Sequence, residues 1–561
     1  MRSTFAIAAA VGLSAASLGV GPISSAGAQP DNAASGPGRT STITISAADG
    51  ETWPCSFNPF NPNTFFFSLG MVNEELYYVN AITGKTTPWL ATGYKFSDQA
   101  KVLTWTIRQG VRFNDGEPLT AADVAYTFQL IKKNPALDLN AIDATLQSVQ
   151  QTGPYQVTMR FSQPAATLFY YVADQVGIVP KSIWEKVKNP LTWPDAQPVG
   201  TGPYTISSCT PQNIEYLKNP NFWQPGVPKI DKVEVPAIIT NAVANEELAN
   251  GQAQWGGQFI PNINKFYLSR NKNYRAWSPV GGYHGIYINL TDPILSKLPV
   301  RQAMAYAINR NRATALADTG QMPGQNQSGV ILPQQKAWYN AKLAAKYDGY
   351  TYNPGKAISI LEKAGYKRGS DGIFQTPSGQ PLRFNIIVVG GYSNEVAAIQ
   401  VIITELANIG IQLHEDNLST PTFSSELADG RFQLAYSGAP GVTIDGPYSP
   451  LRGLLYSAGT APIGKPASSD YERFRSAKED ALFAKLGSTT TVSQAQALIK
   501  QIQAPMLNDV PFIPVDDSGN WTQYDVGVAS GWPTPSNPYA IPSPTNQPDE
   551  EVVLLHLVPK G

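Results

Sequence analysis

Histidine and cysteine are scarce in this chain, with three His and two Cys among 561 residues. His284, His414 and His556 stand far apart. None has a second His at the spacing that zinc sites or catalytic dyads use, so neither a metal centre nor a cofactor is expected. No G-x-S-x-G elbow occurs, which removes the usual signature of a serine hydrolase. The run GTAPIGK, residues 459–465, follows a phosphate loop as far as Lys465. Pro466 then stands where Ser or Thr would hold Mg²⁺, and it removes an N–H that a phosphate would use. Charge of either sign is not in excess: 41 Lys and Arg balance 42 Asp and Glu. Bulk charge therefore gives no basis for binding nucleic acid or an anionic membrane. The adjacent acids Asp516 and Asp517 would leave a strand on opposite faces, whereas a glycosidase needs two carboxylates across one bond. An enzyme, including a secreted glycosidase, is the remote alternative. No internal repeat is found, and past the N-terminal region no stretch is apolar enough to span a bilayer.

What is present begins with a secretory signal over residues 1–28. Arg2 supplies a positive start, residues 5–20 are apolar and small, and Ala26-Gly27-Ala28 fits the small-x-small cleavage pattern. The mature chain is expected to begin near Gln29, with 29–39 as a flexible lead-in. No Cys lies near the cleavage site to carry a lipid. Cys55 and Cys209 are an even pair in an exported protein, and one disulfide is expected, against the alternative of two buried thiols.

The best-specified stretch is 102–128, VLTWTIRQGVRFNDGEPLTAADVAYTF. Leu103, Trp105 and Ile107 alternate with Thr104, Thr106 and Arg108, the period of a half-buried strand. Asn114-Asp115-Gly116 is turn chemistry. Thr120 to Asp123 reads as a capping box, with Leu119 and Val124 placed as a hydrophobic staple. The run IRQGVRFNDGEPLTAADV resembles the signature of the family 5 extracellular solute-binding proteins of ABC transporters, the peptide, nickel and oligosaccharide group. Further anchors resemble the same family: VGTGPY (199–204), the 219–235 run with NPNFW and PKIDKVEV, VRQAMAYAINR (300–310), and Asn353-Pro354 through LEKAGY (361–366).

Along the chain, 40–46 reads as a first strand and 69–78 as a helix. Residues 155–161 read as a strand and 242–250 as a helix stopped by Gly251. A strand over 283–290 carries the chain into a second lobe. The order of strand 382–389, helix 394–409 and strand from 411 implies a right-handed β-α-β crossover. Residues 432–438 are a further strand, and 492–507 one helix.

The resemblance implies an α/β, two-lobed periplasmic-binding-protein-like fold of type II. An extra subdomain is inserted in the first lobe, and the ligand cleft lies between the lobes. The expected division is 40–72, 196–285 and 525–561 for the first lobe, 73–195 for the insertion, and 286–524 for the second lobe. A closed, liganded form would dock on a membrane permease driven by an ATPase. The chain is expected to be monomeric and exported, periplasmic or extracellular.

Candidate ligand contacts come from two sources. The Pro- and Asn-broken aromatic stretch offers Trp53, Phe57, Phe60 and Phe66. The carboxyl ends of strands, where open α/β sheets bind ligands, offer Trp255, Gly256, Tyr436 and Ser437. Trp255 is expected to face the cleft, against the alternative of a packed core residue. Peptide binders of the family place an Asp after the strand equivalent to 432–438. This chain has Ala439 there, and Asp445 six residues later. The C-terminal run from Gly519, including Trp521, resembles the family's cellobiose and β-glucan-oligosaccharide binders. A β-linked oligosaccharide is the expected ligand, with a peptide as the alternative and nickel or another solute behind both.

Overall fold

The computed structural model describes residues 41–46, 52–61, 67–140, 142–238, 240–439, 446–489 and 491–560. The signal, the lead-in, Phe66 and Asp445 lie outside the described residues.

Three sheets carry the architecture. The first has seven strands, in the order Tyr274–Ala276, Gln523–Asp525, Trp255–Gly256, Thr42–Ser46, Lys232–Pro236, Asn213–Lys218 and Tyr204–Thr210. Its alternating residues Ile43, Ile45, Val233, Val235, Ile214 and Tyr216 build one core together with Val552 to Leu555 of the C-terminal helix Asp549–His556. The second sheet has five strands, in the order Gln412–Leu418, Arg383–Val389, Leu434–Gly438, Val280–Ile288 and Phe512–Gly519. It is buried on both faces, and the period of two shows why. Ile386, Val388, Leu434, Tyr436, Ile286 and Ile288 face one core. Ile387, Val389, Ala435 and Tyr287 face another. The strands Arg383–Val389 and Gln412–Leu418 are parallel and joined by the helix Ser393–Asn408, the expected β-α-β unit.

A four-stranded sheet, ordered Ala91–Ser97, Val102–Ile107, Gln156–Phe161 and Leu146–Gly153, packs on the helix Ala121–Lys133. The capping box at its N-terminus is present. Thr120 Oγ1 accepts from the Ala122 N–H at 3.2 Å, and Asp123 Oδ2 accepts from the Thr120 N–H at 2.8 Å. Leu119 and Val124 are buried in the same core. The VGTGPY run is explained by close approach: a Cβ on Gly200 would collide with the Val72 carbonyl.

That approach also corrects one expectation. Residues 69–78 are turns leading into a short strand, Tyr77–Val79, and not a helix. The carbonyls of Met71 and Val72 accept from Tyr204 N–H at 3.1 Å and Gly202 N–H at 2.9 Å, so they are spent outside any helical ladder. Residues 492–507 divide into two helices, Val492–Ile502 and Ala504–Asn508, the second with Pro505 in its first turn.

The VRQA and INR motifs are structural pins. Arg301 donates to the carbonyls of Leu295, Asp509 and Val510. Arg310 donates to Pro514 O at 2.7 Å and Tyr350 O at 3.0 Å. Both therefore anchor the approach to the strand Phe512–Gly519. Cys55 and Cys209 form a disulfide that spans 154 residues and ties the aromatic stretch to the first sheet.

The chain passes between the first and second sheets twice, through 277–279 and through 520–522. Both connections reach the second sheet at one edge region, because the start of Val280–Ile288 pairs antiparallel with the end of Phe512–Gly519.

Candidate functional site

The parallel strands Arg383–Val389 and Leu434–Gly438 end beside this region, with His284 opposite Gly438. It is therefore the carboxyl-end face of an open α/β sheet, where ligands bind. A polar group is assembled there from five distant parts of the chain. His284 Nδ1 lies 2.9 Å from Asp516 Oδ2, and its Nε2 lies 3.6 Å from Glu395 Oε1. Glu395 stands in the first turn of the helix Ser393–Asn408. The Tyr436 hydroxyl donates to Asp516 Oδ1, and its ring stacks near His284 at 6.3 Å. Asn394 donates to Asp318 Oδ1 at 3.4 Å.

Electrostatics follow from burial. Burial alone would lower the His284 pKa, but Asp516 and then Glu395 outweigh it and raise it to about 9. Its imidazole is thus charged at neutral pH. Burial pushes Asp318 and Glu395 up to about 7, and Asp517 up to about 8. One oxygen of each of these three acids has no hydrogen-bond partner among the described residues. The group offers acceptors and, where protonated, donors to a polar solute. It contains no activated nucleophile.

The residues expected from sequence fall into two sets. Ser437 stands near the carboxyl end of its strand, and Trp521 lies in the crossover 520–522, partly buried against Phe259 at 5.1 Å between ring centroids. Tyr436, mid-strand, is fully buried in the sheet's core and reaches the polar group only through its hydroxyl, which donates to Asp516. The others are core residues. Trp255 is 0% exposed, and its indole N–H donates to Pro542 O at 2.7 Å. Its ring meets Trp532 edge-on at 5.4 Å. The expectation that it faces the cleft is overturned, because its strand lies inside the first sheet and its polar atom is already satisfied by backbone. Gly256 is buried, and a Cβ there would collide with Leu248, so packing explains it. Trp53 donates to Val235 O at 2.8 Å within the same core, and Phe57 joins it there. Phe60 packs in the core of the inserted subdomain, edge-on to Trp184 at 5.1 Å. Trp53, Phe57 and Phe60 are therefore packed into cores, which overturns their expected role as ligand contacts.

Sequence reasoning missed His284, Glu395 and Asp318. One local signal existed: two acids inside FIPVDDSG, a strand otherwise apolar. The rest depends on contacts between residues 76 to 232 positions apart.

The inserted subdomain also touches the second lobe, where the Tyr171 hydroxyl lies 3.0 Å from Ser449 Oγ. Gln321 of the second lobe donates to Ile260 O of the first at 3.1 Å.

Comparison with known proteins decides the class. Residues 85–461, well over half the chain, match the profile of the bacterial extracellular solute-binding proteins, family 5. The chain belongs to this family. The family 5 protein described here is the solute-binding component of an ABC importer, and it is not an enzyme. It is 24% identical over 490 residues to the nickel-binding periplasmic protein of Escherichia coli K12, covering 82% of this chain and 87% of that one. It is 29% identical over 285 residues to the glutathione-binding protein GsiB of Salmonella typhimurium, spanning about half of each chain, 50% and 53%. A solved structure of a periplasmic oligopeptide-binding protein of an ABC transporter from Thermotoga maritima superposes with a TM-score of 0.87 at 26% identity, over 93% of this chain and 100% of that one. The same Thermotoga protein has been solved with mannohexaose bound, and that structure superposes with a TM-score of 0.83, over 93% and 99% of the two chains. These neighbours share the two-lobed, type II binding-protein fold. Among the described residues, no helix is long and apolar enough to cross a membrane.

Proposed function

We propose that the solute is a neutral β-linked oligosaccharide, such as a cello- or manno-oligosaccharide. It is captured outside the cytoplasmic membrane by closure of the lobes and delivered to the permease. The observation that carries this reading is the relative of 26% identity, similar along nearly its whole length, that holds mannohexaose. Trp521 supports it, because a partly exposed indole in a crossover can offer a flat face to the C–H side of a pyranose ring. Ala439 supports it too: the position after Leu434–Gly438 carries no acid, and an unpaired ammonium there would be costly. Phe66 and Asp445 remain proposed contacts, with Asp445 dispensable for a sugar.

A second reading, an oligopeptide, is favoured by the unpartnered oxygens of Asp318, Glu395 and Asp517, which suit an ammonium group. In this account residues 1–28 are removed on export. The limits between the lobes are placed at the crossovers 277–279 and 520–522, in place of the 285 and 524 expected from sequence. Tryptophan-fluorescence titration tests the ligand. Saturable change with cellohexaose or mannohexaose, and none with a pool of tri- and tetrapeptides, is the expected result. The reverse pattern would promote the peptide reading.

A further inference from the structure

Six carboxyl groups meet inside the first lobe, at the junction of three stretches of chain. Glu74 and Glu75 precede the strand Tyr77–Val79, and Asp174 follows the short helix Phe169–Ala173 of the inserted subdomain. Asp549, Glu550 and Glu551 open the C-terminal helix. None of the six is more than 2% exposed.

Half of them have partners. Asp549 accepts from Tyr78 Oη at 2.6 Å, Ile541 N at 2.7 Å and Asn546 Nδ2 at 2.6 Å. Asp174 accepts from Val79 N at 2.6 Å and Gln175 Nε2 at 2.7 Å. Glu74 takes the Trp223 indole N–H on both oxygens, at 2.8 and 3.0 Å. Neither oxygen of Glu75 or Glu550 has a partner among the described residues, and Glu551 meets Glu74, one carboxyl group against another. The other titratable groups facing the six, among the described residues, are Tyr78 toward Asp549, Tyr216 toward Glu550, and Arg108 toward Glu74. Tyr216 already donates to Phe67 O at 3.1 Å. Arg108 lies over the Trp223 ring at 4.4 Å. One cation therefore faces six acids.

Ionised, unpaired carboxylates do not persist in such a place. Two escapes exist, a hard cation held by the oxygens or protons on most of the acids. Among the described residues no three acids converge closely enough to hold a metal ion. We propose that this seam is a proton-loaded lock, fastening the inserted subdomain and the C-terminal helix to the first lobe in a mildly acidic exterior and loosening as the medium turns alkaline. The lock bears on binding as well as folding, because the helix next to Asp174 carries Tyr171, which meets Ser449 of the second lobe.

The direction of the effect follows from linkage. Burial raises Glu74 to about 7 and Asp549 to about 6. Burial, with repulsion among the neighbouring acids, raises Glu75, Asp174, Glu550 and Glu551 well above the usual carboxylate range. In the unfolded chain these groups titrate near about 4. With the folded value raised, the stability these groups contribute is whole below about pH 4, where the unfolded chain also holds their protons, and is lost progressively as pH rises through 6, 7 and beyond.

The test is thermal unfolding of the full chain from pH 4.5 to pH 8.5, with and without chelator, for the wild type, Glu550→Gln and Glu75→Gln/Glu550→Gln. The melting temperature of the wild type should fall by at least about 5 °C between pH 5 and pH 8, and the Gln variants should flatten that slope. A flat or rising profile would overturn the proposal. So would a slope unchanged in the variants, or a wild type at pH 8 that divalent cations stabilise and chelator destabilises. If the variants do not fold, infrared spectra of the wild type at pH 7 decide: a protonated-carboxyl band is expected, and its absence refutes the lock.

Discussion

The Tyr171 hydroxyl lies 3.0 Å from Ser449 Oγ and joins the inserted subdomain to the second lobe. A binding protein closes about its hinge, and a contact that exists only when the lobes meet biases the equilibrium toward the closed form. A hydrogen bond of this kind contributes about 1 kcal/mol. Tyr171→Phe should therefore weaken solute binding by roughly fivefold while the melting temperature of the free protein stays nearly constant. Scattering of the variant with and without solute should show a larger change in radius of gyration than the wild type. Unaltered affinity would mean that this contact does not bias closure.

The disulfide closes a loop of 154 residues. Loop closure of that size restricts the unfolded chain and stabilises the fold by roughly 2–4 kcal/mol. Protein purified from the export compartment should show no free thiol under denaturing, non-reducing conditions. The Cys55→Ala/Cys209→Ala variant should melt several degrees lower. Two titratable thiols in the native preparation would contradict the bridge.

Trp255 and Trp521 should separate stability from binding. Trp255 is fully buried with its N–H satisfied, so Trp255→Ala should cost about 3–5 kcal/mol of stability. Calorimetry of unfolding measures it. Trp521→Ala, at a partly buried position in a crossover, should leave the melting temperature within a few degrees.

His284 contributes stability with a definite pH window. Its unfolded value is about 6.5 and its folded value is about 9, held there against burial by Asp516 and Glu395. That contribution is full below pH 6.5 and is lost as pH rises to 9. NMR titration should find the His284 imidazole still protonated at pH 7.5. A neutral ring at that pH would mean that the two carboxylates do not hold its proton.

Much of the fold was legible because its signals are local. The capping box at Thr120 and Asp123 and the alternation over 102–107 each act within a few residues, and the structure carries them. The β-α-β order around the helix Ser393–Asn408 is equally local. Residues 69–78 misled for the opposite reason: they have helix-compatible residues, but their carbonyls are claimed by Gly202 and Tyr204. The site was less legible. The strand-end rule reaches Tyr436 and Ser437, of which Tyr436 is fully buried, whereas His284, Glu395 and Asp318 meet only through tertiary packing. Trp255 obeys the strand-end rule in sequence, yet its strand lies inside the sheet, where Pro542 takes its indole N–H.

The most direct measurement is calorimetric titration of the wild type, Trp521→Ala and Asp445→Asn with cellohexaose, mannohexaose and a pool of tri- and tetrapeptides. Oligosaccharide binding to the wild type is expected at one molecule per chain. Trp521→Ala should lose about 2 kcal/mol or more, well over tenfold in affinity, and Asp445→Asn should match the wild type. Heat from peptides alone, abolished by Asp445→Asn, would contradict the account.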